Sequence, residues 1–301
     1  MNSGTIEDYR SAMYEVAEAI APTWERRRAE IEEVATPVRE WMLHELRPRD
    51  GDKVLELAAG VGETGFDAGA LVGERGHLIS SDFSPAMLHA ARRRGAERGV
   101  GNVEYRVIDA ERIELDDDSV DFVLCRFGYM LMANPAAALA ETRRVLRPGG
   151  RLALAVWGPP ERNPFFAILG INLTTRGLIP PPEPPPAPGF FNMASAERTT
   201  VLLHGAGFVD VRTEEVPVRF RLRDLDDYIG LVADTAGPLG LAVRGLPDAE
   251  RADVKAEVEE SFGRFAAGDG YTLPGVTLCA LASGARWCPR ANPRGARPQP
   301  P

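Results

Sequence analysis

Apolar and polar positions along the chain follow two different periods. Over residues 1–47, Tyr9, Met13, Val16, Ala17 and Ile20 recur at helical spacing, as do Ile31, Val34, Val38 and Leu43. Pro22 and Pro37 are expected to mark breaks or helix starts in this stretch. From residue 50 short apolar runs take over, at 54–57, 77–82, 103–108, 120–125 and 151–157, separated by helical segments. Strands alternating with helices predict a parallel, mostly buried sheet. Beyond residue 158 come Asn163-Pro164-Phe165-Phe166, a short apolar helix and a proline run at 180–188, read as a stiff connection. A helix at 196–206, a sixth strand at 207–211, helix over 228–265 and a closing strand at 272–282 complete the pattern, with no internal repeat.

The turns carry the chemistry. The first strand ends in Leu57-Ala58-Ala59-Gly60-Val61-Gly62-Glu63-Thr64-Gly65, with Glu56 just ahead. Glycines at 60, 62 and 65 permit a tight turn and a close backbone approach to a ligand, although this spacing alone is a weak signal. Asp82 closes the second strand about 20 residues beyond Gly62, where nucleotide-binding α/β folds place the acid that accepts ribose hydroxyls. Ser84 and Pro85 read as the N-cap and first position of the next helix. The third strand ends at Asp109-Ala110, an acid able to accept from an adenine amino group beside a residue small enough to leave room for the ring. The fourth strand leads into Arg126-Phe127-Gly128-Tyr129-Met130, and the helix at 136–146 stops at Arg147-Pro148-Gly149-Gly150.

This ordered set resembles the class I S-adenosylmethionine (SAM)-dependent methyltransferases, in particular the branch around the ubiquinone/menaquinone-biosynthesis methyltransferases. The likeness is close over roughly residues 45–160 and looser to about 284. It implies an α/β, Rossmann-like seven-stranded sheet, mostly parallel, with the last strand antiparallel beside strand five. The division it implies is a helical lid at 1–47, a SAM-binding core at 48–158, and a lid insertion, helices and final strands of the same domain at 159–284. By position, the backbone around Ala58, Gly60 and Gly62 holds the methionyl part, with Glu56 near its ammonium. Asp82 takes the ribose, Phe83 and Met87 lie beside the adenosine, Asp109 and Ala110 frame the adenine edge, and Arg126 adjoins the cofactor. SAM is then the co-substrate, and no metal is expected.

Composition narrows the class further. With 301 residues, 44% of them hydrophobic and 26% charged, the chain can bury a full core. A net charge of −9 argues against general affinity for nucleic acid or anionic membrane. No run approaches the roughly 20 apolar residues of a membrane span and no signal-peptide pattern opens the chain, so a cytoplasmic protein is expected. Cys125, Cys279 and Cys288 give neither a disulfide framework nor a zinc spacing. Asp116, Asp117 and Asp118 read as a solvated turn. Residues 285–301 hold Arg286, Arg290, Arg294 and Arg297, five prolines and no acid, and are expected to be a disordered basic tail.

The acceptor side is less legible. His44, His77, His89 and His204 all fall away from the ends of strands four and five, so each reads as an ordinary surface or packed histidine. Candidates to meet substrate are Arg126, Tyr129 and Met130 after strand four, Trp157 and Asn163 after strand five, and Tyr9, Tyr14 and Trp24 from the lid. Arg126 and Tyr129 are the candidate substrate-positioning residues. Equally weighted alternatives are a structural ion pair of Arg126 near Asp121 or Glu141, and aromatic packing of Tyr129. Trp24 and Phe165 read as lid packing. The quinone-methylating relatives carry a Gly–Arg–Asn run after strand four where this chain has Phe127-Gly128-Tyr129-Met130-Leu131, which speaks against a quinone acceptor.

The leading expectation is methyl transfer to O, N or C of a small, partly apolar molecule of secondary metabolism, by in-line displacement achieved mainly through positioning. A homodimer is compatible with the sequence. The alternatives are a protein that uses the same fold and cofactor structurally, as a cyclase-like enzyme or binding module, and a nicotinamide dehydrogenase. The dehydrogenase shares the glycines and Asp82 but explains neither Asp109-Ala110 nor the Arg-Pro-Gly-Gly stop.

Overall fold

The structure, a computed structural model, describes residues 3–182 and 187–284. The expected basic tail with Cys288, and the middle of the proline run, lie outside the described residues. Helices α1 (Ser3–Arg26) and α2 (Arg28–Leu46) precede β1 (Lys53–Glu56), α3 (Glu63–Val72), β2 (His77–Asp82), α4 (Pro85–Glu97), β3 (Val103–Val107), β4 (Val120–Arg126), α5 (Pro135–Val145) and β5 (Leu146–Trp157). There follow α6 (Pro164–Thr175), α7 (Ala196–Gly205), β6 (Phe208–Leu222), α8 (Leu225–Thr235), α9 (Gly237–Arg244), α10 (Asp248–Phe262), β7 (Ala266–Ala267) and β8 (Gly270–Gly284).

The strands form one sheet in the order β3-β2-β1-β4-β5-β8-β6, with the two-residue β7 paired to β8 as an eighth strand. The first five are parallel, and β8 runs antiparallel between β5 and β6. Val54, Leu55, Leu78, Ile79, Val123 and Leu124 are sealed from solvent, as the unbroken apolar runs require of central parallel strands. Ser84 caps α4, accepting from the Met87 amide at 3.1 Å with Pro85 at the first position. No helix among the described residues is long and apolar enough to cross a membrane.

Several boundaries differ from the sequence expectation. Pro22 and Pro37 lie inside α1 and α2, and the chain turns at Arg27 instead. A helical proline forfeits one backbone bond, but Ala21 and Val38 beside these prolines are buried, and packing of the apolar face outweighs the loss. Strand five begins at Leu146: Val120 pairs with Leu146 and Phe122 with Arg151, so 147–150 bulge outward with Gly149 at φ 80°. Strand six extends to Leu222, and the stretch from 228 to 265 is divided among α8, α9, α10 and a terminal 3₁₀ turn. The ladder of β6 and β8 runs on past the end of β5, where Trp157 pairs with Thr277, as far as Leu222 opposite Tyr271.

Candidate active site

A cavity of about 240 Å³ opens at the carboxyl ends of β1, β2 and β4. One wall is the apolar face of α1: Tyr9, Met13, Val16, Ala17, Ile20 and Trp24 all line it, joined by Ile31 and Val34 of α2. Tyr14 does not line it; this residue is 41% exposed and meets Phe83 edge-on from outside, at 6.0 Å between ring centres.

The floor is built by the glycine turn. Ala58, Gly60 and Gly62 adopt left-handed φ values of 52°, 55° and 89°. That conformation costs a non-glycine residue such as Ala58 roughly 1–2 kcal/mol. Trp24 of the lid rests over Gly60, 3.8 Å from where a Cβ would stand, and donates to the Thr235 carbonyl at 3.1 Å. Gly128 permits the turn after β4 to approach closely, since a Cβ there would lie 2.6 Å from that of Ala58.

Two buried acids flank this turn. Glu56 accepts from the Gly65 amide at 2.7 Å and the Ser80 hydroxyl at 3.3 Å, and burial pushes its carboxyl up to about 8, opposed by these bonds and by Arg126. Asp82 accepts from the Gly60 amide at 2.9 Å and the Ser84 amide at 3.0 Å, and burial raises it to about 6. Each acid is thus fixed by backbone before any ligand arrives. Phe83, Met87, Asp109 and Ala110 line the same end of the cavity, and α1 sends Arg10 to Asp109 at 3.4 Å and to Glu111. Glu18, also of α1, accepts from the Ser84 hydroxyl at 2.6 Å and the Ala86 amide at 3.0 Å. Helix α1 is therefore tied to the Asp82–Asp109 end of the cavity by two polar anchors that the sequence reading missed.

The other end is aromatic. Phe127 and Trp157 stack at 4.3 Å, Phe165 and Phe220 at 3.9 Å, and Phe166 on Phe190 at 5.1 Å, and all six line the cavity. Of these, the sequence reading named only Trp157 as a substrate contact. Phe220 comes from the part of β6 beyond the end of β5, a placement that spacing along the chain does not reveal.

Two expected substrate groups lie away from the cavity, and a third meets an unforeseen partner. Tyr129 lies outside the cavity, fully buried, its hydroxyl 2.6 Å from that of Thr142 on α5. In the short 3₁₀ turn after Gly128 its side chain falls on the core side, and burial holds its phenol far above the usual range. Asn163 also faces away: its amide donates to the carbonyls of Gly158, Pro159 and Val276 and its oxygen accepts the Val276 amide at 3.0 Å, clamping the end of β5 to β8. Arg126 does line the cavity, but it pairs at 2.6 Å with Glu32 of α2, not with Asp121 or Glu141, which are held by Arg147 and Arg144. None of the four histidines lines the cavity.

Residues 55–154 match the family described as a methyltransferase domain. The ubiquinone/menaquinone biosynthesis C-methyltransferase UbiE of Francisella philomiragia is 37% identical over 113 residues, covering 37% of this chain and 45% of the relative. The demethylmenaquinone methyltransferase of Clavibacter sepedonicus is 40% identical over 113 residues, 38% of this chain and 44% of its own length. The chain spans about half the length of the curated relatives it matches. The solved structure of the YcgJ protein from Bacillus subtilis shares the fold, with a TM-score of 0.56 at 17% identity over 83% of this chain and 98% of that one. The glycine turn, the acids at the strand ends, the sheet order and these matches agree: residues 55–154 are a methyltransferase domain on the class I S-adenosylmethionine-dependent fold, similar in sequence to the ubiquinone/menaquinone-biosynthesis enzymes.

Proposed function

We propose that the protein transfers a methyl group from SAM to an O, N or C atom of a small, partly apolar molecule. The observation that carries this reading is the continuity of the cavity, which joins Glu56, Asp82 and Asp109 at one end to the Phe127–Trp157 stack at the other. The residues present fit the cofactor: Glu56 for the ammonium, Asp82 for the ribose, Asp109 and Ala110 for the adenine edge, with Phe83 and Met87 alongside. When bound, SAM supplies a methyl group already activated on a sulfonium.

The chain's own residues then have to exclude water and set the line of attack. Tyr9, Met13, Ile20 and Trp24 close the cavity over the glycine turn, and the aromatic end offers flat apolar walls to an acceptor. Orientation of this kind is worth up to ~7–11 kcal/mol in favourable cases, whereas a general base contributes about 10²–10⁴-fold. A site rich in walls and without a histidine therefore suits an acceptor that needs placement more than proton removal. The relatives' names point to quinone rings, which the aromatic end favours, while the stretch from Phe127 to Leu131 lacks the Gly–Arg–Asn run expected there of a quinone-methylating enzyme.

The test is calorimetric titration with SAM, S-adenosylhomocysteine and NAD, followed by an assay of S-adenosylhomocysteine formation with apolar acceptors, demethylated quinols included. Binding of both SAM ligands without NAD, and turnover with one acceptor class, supports the reading. Binding without turnover on any acceptor favours structural use of the cofactor, and failure to bind SAM ends the proposal.

A further inference from the structure

Arg126 is only half-satisfied. Its side chain is 11% exposed, and Nη2 donates to Glu32 Oε1 at 2.6 Å. Nη1 is cut off from solvent and has no hydrogen-bond partner among the described residues. A guanidinium cannot shed its proton to escape this situation, so a buried N–H face without an acceptor calls for an anion.

Glu32 itself is held in place by a chain of alternating charges. Its second oxygen takes Arg39, whose Nε meets Asp67 at 2.8 Å; Asp67 takes Arg98 at 2.6 Å, and Arg98 reaches Glu63 at 2.7 Å. Glu63 is the first residue of α3, directly after Gly62 of the glycine turn. The lid helix α2 is thereby locked to the helix that starts at the methionyl position, and Arg126 is presented at the cavity wall from the other side of the same turn. Glu56, the neighbouring acid, already has both oxygens engaged by Gly65 and Ser80.

We propose that Arg126 receives the α-carboxylate of the bound cofactor on Nη1, and that Glu32 of the lid is the positioning residue that aims it there. This rests on the SAM reading of the cavity. The methionyl part carries one ammonium and one carboxylate, and the site then supplies one counter-charge for each, Glu56 and Arg126. Glu32 joins lid to core at the point where the ligand's charge is neutralised.

The experiment is calorimetry of the full chain with S-adenosylhomocysteine and with its decarboxylated analogue, for wild type, Arg126→Gln, Arg126→Lys and Glu32→Gln, each checked for a cooperative melt. The wild type should prefer the carboxylate-bearing ligand by about 10- to 100-fold. Arg126→Gln should bind both ligands alike, Arg126→Lys should regain part of the preference, and Glu32→Gln should retain only part of it. If Arg126→Gln fails to fold, the other two variants give the answer. A preference that survives in Arg126→Gln, or in both Arg126→Lys and Glu32→Gln at full strength, overturns the proposal. So does a wild type that binds both ligands equally, which leaves the SAM reading standing. A wild type that binds neither removes both. Unchanged S-adenosylhomocysteine affinity with a raised acceptor KM would assign Nη1 to the acceptor and overturn the carboxylate role.

Discussion

The Glu56 carboxylate accepts the Gly65 amide at 2.7 Å, and a Cβ at position 65 would lie 2.1 Å from the same carboxylate. Gly65 is therefore required by contact and not by φ, and the acid is pressed onto the first turn of α3. Gly65→Ala should displace Glu56, cost about 1–3 kcal/mol or more of stability, and abolish measurable S-adenosylhomocysteine binding. Melting and titration of the purified variant check both. A variant that binds as tightly as wild type would show that Glu56 does not need this position.

Burial raises Glu56 to about 8 and Asp82 to about 6. A carboxyl whose folded value lies above its unfolded one contributes stability that is fully present below the unfolded value and is lost as pH rises through the folded value. The unliganded protein should thus lose stability between about pH 4 and 8 on account of these two groups. A ligand ammonium favours the ionised Glu56, so S-adenosylhomocysteine binding near pH 7 should release protons and tighten as pH rises toward 8. Calorimetry in buffers of different ionisation enthalpy measures the release, and Glu56→Gln should remove most of it. Net proton uptake in the wild type would contradict this account.

Asp82→Ala should weaken cofactor binding by roughly 1.5–3 kcal/mol, the range for hydrogen bonds to a charged group. The Gly60 and Ser84 amides also lose their acceptor, so the melting temperature should fall while the transition stays cooperative. Affinity unchanged by titration would assign the ribose to another residue.

Removing the Tyr129 hydroxyl should affect stability alone. Thr142 keeps its bond to the Ala138 carbonyl at 2.8 Å, so Tyr129→Phe should cost about 1 kcal/mol and leave kcat and KM as they were. A tenfold fall in turnover would return Tyr129 to the reaction.

Phe190 is half-buried and stacks on Phe166 at the aromatic end. Phe190→Ala should raise the acceptor KM by about 2- to 12-fold, the worth of ~0.5–1.5 kcal/mol for an aromatic pair, without changing the S-adenosylhomocysteine Kd. Steady-state kinetics alongside titration separates the two effects.

The parallel half of the sheet was legible because its central strands are buried runs rich in apolar residues and end in turns whose residues have a specific conformational job, as at Gly60, Gly62 and Ser84. In the antiparallel half the closing strand was legible, but the length of β6 was not. β6 lies at the end of the sheet order, so it tolerates Pro217 and turns Arg212, Glu214 and Arg221 toward the surface side, which hides a 15-residue strand in a polar-looking stretch. Glu56 and Asp82, proposed to meet the cofactor, were visible because each closes a strand. The partner of Arg126 was not, because Glu32 lies in another helix and only the packing of α2 on β4 brings the two together. Tyr129 and Asn163 failed for a related reason: in irregular turns the side to which a residue points is set by the packing and not by any period.

The extension of β6 and β8 beyond the end of β5 gives the molecule a modular grammar. The proposed cofactor vocabulary is written between residues 56 and 111, while much of the proposed acceptor vocabulary is written on that projecting ribbon, on α6 and in the turn before α7, at Phe220, Phe165, Phe166 and Phe190. A ribbon anchored to the sheet at one end can be respelled without disturbing β1 and β2 at the other. Exchanging this segment among related chains is therefore a direct route to new acceptors on an unchanged cofactor site.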